Sequence, residues 1–154
     1  MSRRRSPPTL SLGIQIVTRA GGIPTDRKLA LWATRATERA CEVTLRIVGR
    51  PEARRLNLDF RQRDYATNVL TFVYGDEPQL TTGDIAICAP VVSREARRQG
   101  KTLEAHWAHL VVHGMLHLQG YDHERSAREA ARMERLETQI LRDLGYPDPY
   151  LIAA

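Results

Sequence analysis

The sequence predicts an α+β fold in which a small mixed four-stranded sheet is covered by about five helices, all in a single domain. Three observations carry that expectation. Segments with a two-residue apolar period alternate with segments of helical period along the chain. A chain of 154 residues with 42% hydrophobic content can build one real core but not two ordinary ones. Three helical patterns in succession follow two adjacent strands, so the sheet is complete before the last helices begin to cover it.

Residues 1–9 hold Arg3, Arg4 and Arg5, followed by no apolar stretch, and read as a disordered basic tail rather than a signal peptide. Residues 10–154 read as the domain. From Leu10 to Val17, Leu12, Ile14 and Ile16 alternate with polar or small residues, the pattern of a half-buried strand that Gly21, Gly22 and Pro24 terminate. Thr25 can cap a helix to about Ala40, which sets Leu29, Trp32, Ala33, Ala36 and Ala40 on one stripe. A strand from Glu42 to Val48 follows. Pro51 suits the first turn of a short helix ending near Phe60, and Arg61 to Asn68 is a charged loop before the apolar strand Val69 to Tyr74. Gly75 to Gly83, with Pro78, reads as a connection, and Asp84 to Ala89 as the fourth strand. A helix from Val91 to Gln99 stops at Gly100. The next, from about Leu103 to Leu118, has Leu103, Trp107, Leu110, Val111 and Met115 on one side, histidines on another, and Gly120 beyond its end. The last runs from Ser126 to Leu144, with Met133, Leu136, Ile140, Leu141 and Leu144 inward and Gly145 and Pro147 after it.

Composition narrows the function classes. The net charge of +5 and pI near 9.7 favour a polyanionic partner such as nucleic acid. All but two of the 23 basic residues are arginine, whose fork suits phosphate better than the lysine ammonium does. Cys41 and Cys88 form no CxxC pair, which argues against a redox motif or a thiolate metal site and for two buried reduced thiols. No apolar run approaches the ~20 residues needed to cross a bilayer. A cytoplasmic protein without membrane contact is expected.

The chemistry is concentrated in His113-Gly-Met-Leu-His117-Leu-Gln-Gly120-Tyr-Asp-His123. Two histidines four apart on a helix share a face, so their imidazoles can converge on one ion. Gly120 can take the left-handed conformation that ends the helix and folds the chain back, which brings His123 round as a third ligand. Three neutral nitrogens leave a fourth tetrahedral position open, as in catalytic rather than structural sites. By residue frequency this pattern arises on the order of a few times in ten thousand chains of this composition, so chance is a poor account of it. Imidazole suits zinc, expected at one ion per chain, and also nickel, cobalt and copper. His109 continues the four-residue spacing, but His109, His113 and His117 spread over more than about 10 Å of helix, too far to share one ion. His106 and His109 are therefore expected to support the ligands or pack in the core.

The chain resembles the YbeY family of bacterial endoribonucleases, the rRNA maturation factors. The resemblance lies in LNLDFRQRDYATNVLTF (Leu56 to Phe72), TGDIAIC (Thr82 to Cys88), GKTLEAHWAHLVVHGMLHLQGYDH (Gly100 to His123) and LGYPDPY (Leu144 to Tyr150). It implies a metal-dependent, single-strand-specific endoribonuclease active in processing rRNA, notably at the small-subunit rRNA 3′ end, and in ribosome quality control. It implies His113, His117 and His123 as metal ligands, with His113 and Arg61 needed for activity, Arg61 holding the matching place after Leu56, Asn57 and Phe60. It also implies contact with the small ribosomal subunit and the GTPase Era; no DNA partner is expected. The histidine and glycine spacing is similar to that of metzincin peptidases too, but the glutamate that serves those enzymes as general base is Gly114 here.

The mechanism expected is hydrolysis by metal-activated water, with Arg61 on the scissile phosphate. Asp122 is a candidate base, although a turn role suits it better. Arg46, Arg50, Arg54, Arg55 and Arg63 form one basic cluster and Arg94, Arg97, Arg98 and Lys101 a second. Either could track an RNA backbone, the first being the better candidate. Two rival functions are an RNA-binding ribosome-assembly factor with a structural metal, and a metallopeptidase.

Overall fold

The computed structural model describes residues 8–151, so the expected basic tail lies outside them except for Pro8 and Thr9. Its elements run β1 (Leu10–Ile16), α1 (Asp26–Arg35), β2 (Cys41–Val48), α2 (Arg50–Arg61), β3 (Val69–Glu77), β4 (Leu80–Cys88), α3 (Ala89–Gln99), α4 (Leu103–Leu118) and α5 (Ala127–Asp143). The expected class is observed: a mixed four-stranded sheet with five helices.

The strand order is β1-β2-β4-β3. β1, β2 and β4 are parallel in register, with Leu12 opposite Val43 and Leu45 opposite Ile85, while β3 pairs antiparallel with β4 at one edge. Central β2 and β4 are the most apolar strands because both their neighbours and the helices exclude water, as Val43, Leu45, Ile47, Ile85 and Ile87 show. α4 lies at the centre of the core. Trp107, Val111, Val112, Met115 and Leu116 are almost wholly buried, so little of this helix but its histidine edge meets solvent.

Two boundaries differ from expectation, each for a local reason. α1 stops at Arg35 rather than near Ala40, because the Thr37 hydroxyl folds back onto the Ala33 carbonyl at 2.8 Å. Gln119 Oε1 then accepts from the Glu38 and Arg39 amides at 2.7 and 3.3 Å. The Ala40 carbonyl, freed from the helix, accepts from the Thr81 amide at 3.0 Å and leads into β2. The expected connection from Gly75 to Gly83 is instead a tight hairpin, with Glu77 opposite Leu80 and only Pro78 and Gln79 between the strands. A register shift between Val73 and Gly75 breaks the apolar alternation that would have marked this stretch as strand.

Arg61, expected on a loop, is the last residue of α2. The helix ends there because Gln62 adopts the left-handed conformation, φ 55°, and its amide turns back to the Leu58 carbonyl at 3.0 Å. The end of α2, the edge strand β3 and the histidine edge of α4 therefore face one cleft.

Candidate metal centre

α4 begins with Thr102 capping the Ala105 amide at 3.1 Å and closes with Gly120 at φ +105°. The Gly120 amide bonds the His117 carbonyl and the Tyr121 amide bonds that of Leu116, both at 3.1 Å, so the chain doubles back over the last turn. This reversal carries His123 to within 5.2 Å of His113 and 6.4 Å of His117, ring centre to ring centre. His113 and His117 lie 6.3 Å apart with their planes within 4° of parallel. Three imidazoles bound to one ion at ~2.1 Å would have ring centres about 5 Å apart. His113 and His123 already stand so, and His117 stands about 1 Å further off.

Hydrogen bonds fix which nitrogen two of these rings present. His113 Nδ1 lies 2.6 Å from Glu137 Oε1, and His117 Nδ1 lies 2.9 Å from the Tyr121 carbonyl oxygen. A carbonyl and an ionised carboxylate only accept, so both Nδ1 atoms carry a proton, and in the neutral ring Nε2 is the nitrogen left with a lone pair. Burial pushes the His117 pKa below its ordinary value, which keeps that ring neutral near pH 7.

Glu137 is the residue that sequence reasoning missed. Its side chain is 0% exposed and it receives His113, His109 Nε2 at 3.1 Å, and the Tyr150 hydroxyl. Burial alone would raise its pKa, but the hydrogen bonds from His109 and His113 outweigh it and hold the carboxyl down at about 2. The missed signal was in α5: Glu137 interrupts the apolar stripe of Met133, Leu136, Ile140 and Leu141, where an unpaired carboxylate would be costly. His109 shares the Glu137 carboxylate with His113, and His106 is buried at 2.9 Å from Glu95 Oε1.

Ligand atoms of His109, His113 and Glu137 all lie within 4.8 Å of one another, a group that could hold a metal ion. At 2.6 Å, however, the His113–Glu137 pair is a hydrogen bond. Two ligands of one tetrahedral ion sit about 3.4 Å apart at ~2.1 Å bond lengths, so in this arrangement the three groups bind each other. His113 and His117, whose Nε2 atoms take no part in these bonds, both line the neighbouring cleft.

That cleft has a volume of about 740 Å³ and is lined by Arg61, the three histidines, Asp122 and Glu124, with the β3 edge as its opposite wall. Arg61 Nη2 lies 3.3 Å from Glu124 Oε1, which draws the guanidinium toward the turn that holds His123. Asp122 is engaged in that turn, its Oδ1 accepting from the Glu124 amide at 2.8 Å. Of the first basic cluster, Arg46 is bound to Glu52 at 2.5 Å and Arg54 to Asp64 at 2.6 Å. Arg55 lies 4.0 Å from Glu52. None of these three arginines lines the cleft.

The profile of the family described as Endoribonuclease YbeY matches residues 26–145, well over half of the chain. The chain belongs to that family. Endoribonuclease YbeY of Aromatoleum aromaticum is 59% identical over 127 residues, covering 82% of this chain and 81% of the relative. That of Methylibium petroleiphilum is 52% identical over 149 residues and covers 96% and 99% of the two chains. The fold is similar to the solution structure of a Thermotoga maritima protein, with a TM-score of 0.54 at 26% identity over 90% of this chain and 99% of that one.

Within the endoribonuclease YbeY family, Gly114 separates this chain from the metzincin peptidases in structural terms as well. A Cβ on Gly114 would meet the Ile85 side chain at 3.0 Å, because here α4 is pressed onto β4. A glutamate at this position would have to begin its side chain against Ile85 of β4.

Proposed function

We propose that this member of the endoribonuclease YbeY family is a cytoplasmic, single-strand-specific, metal-dependent endoribonuclease acting on ribosomal RNA. It works in maturation of the small-subunit rRNA 3′ end and in ribosome quality control, in contact with the small ribosomal subunit and the GTPase Era. One zinc ion, or another divalent transition metal, is held by His113, His117 and His123. The observation that carries this reading is the commitment of both Nδ1 atoms, His113 to Glu137 and His117 to Tyr121, which leaves Nε2 as the atom each ring can offer to an ion in the cleft that both residues line.

An ion held there supplies Lewis acidity, bringing the pKa of water toward ~7 and polarising a phosphate oxygen. The rest falls to the chain itself. Arg61 can present two parallel N–H groups to the scissile phosphate and offset charge as it develops. Its bond to exposed Glu124 is weak enough to yield to that stronger acceptor. Glu137 and the Tyr121 carbonyl hold the two rings in orientation throughout. Excess positive charge supports a polyanionic substrate. No described helix is long and apolar enough to cross a membrane.

The test compares cleavage of single-stranded and duplex RNA by identically purified, metal-loaded wild type, His113→Ala and Arg61→Ala, with elemental analysis of each. Both variants should lose activity on single strands, and wild type should carry about one ion per chain. Equal activity in all three preparations would assign the cleavage to a contaminant and overturn the reading.

A further inference from the structure

Tyr150 stands between two cavities. One is the histidine cleft; the other, about 710 Å³, lies beside the α3–α4 turn and is bordered by Arg97, Arg98 and Lys101. Asn68, His109, Leu110 and Tyr150 line both, so the two adjoin along a shared wall and form one trough. Its far end is the more basic. Arg97 and Arg98 are exposed in the last turn of α3 and, among the described residues, have no ion-pair partner. They contrast with Arg46 and Arg54, which are committed to carboxylates. Lys101 Nζ donates to the Pro149 carbonyl at 2.5 Å, which ties down the segment carrying Tyr150 and leaves two N–H bonds for another acceptor.

The Tyr150 ring is positioned before any ligand arrives. Its hydroxyl is held by the buried Glu137 carboxylate, its ring packs nearly perpendicular to that of His109 at 5.3 Å between ring centres, and yet the residue is 42% exposed. An aromatic ring fixed at its polar end and open to a groove is a stacking platform for an unpaired base, with little entropy left to lose on binding. Beyond it lie cations spaced along a cavity wall, which suits a chain of phosphates.

We propose that this second cavity is a strand-binding subsite: single-stranded RNA leaves the histidine centre across Tyr150, stacks one base on its ring, and lays the following phosphates against Arg97, Arg98 and Lys101. The proposal rests on the endoribonuclease reading and adds the course of the strand. It also gives single-strand preference a structural source, since a paired base has no free face to offer Tyr150.

The test is fluorescence anisotropy of labelled oligoribonucleotides of about ten and about three nucleotides, at several salt concentrations, with a chelator present to prevent turnover. Arg97→Gln/Arg98→Gln should weaken binding of the longer strand roughly ten-fold and flatten its log–log salt dependence by about 1.4, that is ~0.7 for each phosphate no longer neutralised. The three-nucleotide strand, too short to span from the cleft to the arginines, should bind the variant and wild type alike. Tyr150→Leu should weaken the longer strand by a similar factor, and Tyr150→Phe, which keeps the ring, should restore most of it. Unchanged affinity and salt slope in the arginine variant, while wild type cleaves single strands, would overturn the subsite and leave the endoribonuclease standing. Equal losses on both lengths would overturn it too. A wild type that neither binds nor cuts single-stranded RNA would remove both proposals together.

Discussion

Glu137 Oε1 lies 2.6 Å from His113 Nδ1, and that glutamate is fully buried in α5. The contact joins two helices and fixes the tautomer of a histidine proposed as a metal ligand. Glu137→Gln keeps the shape but loses the charge that makes the histidine a stronger donor to the metal, so metal affinity should fall roughly 10- to 100-fold. Glu137→Ala should add a stability cost of about 1–3 kcal/mol for each histidine N–H left buried without an acceptor. Competition against a chromophoric chelator measures the first effect and urea unfolding the second. A glutamine variant that holds metal as tightly as wild type would show that Glu137 is only packing.

Arg61 is exposed and, among the described residues, held only by an exposed glutamate, so stability should not depend on it. Arg61→Ala should lower kcat/KM on single-stranded RNA by roughly a hundred-fold and leave the unfolding free energy within about 0.5 kcal/mol of wild type. Arg61→Lys should recover only part of the activity, because a lysine ammonium cannot match the two-pronged contact. A lysine variant as active as wild type would count against bidentate phosphate binding.

What could be read in the sequence was what is local. The spacing of His113, His117, Gly120 and His123 determines by helix geometry alone that these rings approach one another, and the observed φ of +105° at Gly120 is the one conformational demand it made. β1 and β2 were legible from alternation and branched residues. Of β3 and β4, the outer parts from Val69 to Tyr74 and from Asp84 were legible too, but the hairpin end between them was not, since Gly75, Thr81 and Thr82 carry no apolar signal and gain their strand conformation from pairing with each other's strands. Glu137 and Tyr150 were also missed, since their partners lie on other elements. The value of each arginine depends likewise on tertiary partners: the cluster nearest Arg61 is the better RNA surface by sequence, but in the fold its Arg46 and Arg54 are engaged by Glu52 and Asp64.

Gly114 permits the close approach of α4 to β4 that brings the histidine edge over the cleft. Gly114→Glu would set a carboxylate against Ile85, where it meets overpacking as well as desolvation. The cost should be about 3 kcal/mol or more, lowering Tm by roughly 10 °C. Restoring the peptidase-type sequence in this way should produce no cleavage of an unstructured protein substrate. Thermal unfolding and a casein assay check the two halves, and either a wild-type Tm or measurable proteolysis would contradict the placement of residue 114.

Glu95 gives the pH dependence its sign. Burial, the largest single influence on it, would raise its pKa, but the hydrogen bonds from His106 and from Asn68, at 2.9 and 3.0 Å, together with the nearby charges of His106 and Arg94, bring the net shift below 4.5. A carboxyl with a depressed folded-state pKa binds fewer protons folded than unfolded. Its contribution to stability is therefore present above about pH 4.5 and is lost as pH falls through the lower folded-state value. Glu95→Gln removes the titrating group, so its unfolding free energy should be lower than that of wild type near neutrality, with the gap narrowing as acid is added. Urea denaturation of both proteins across the acid range measures that gap. A constant difference at every pH would mean that Glu95 acts through packing of the α3–α4 contact and not through its charge.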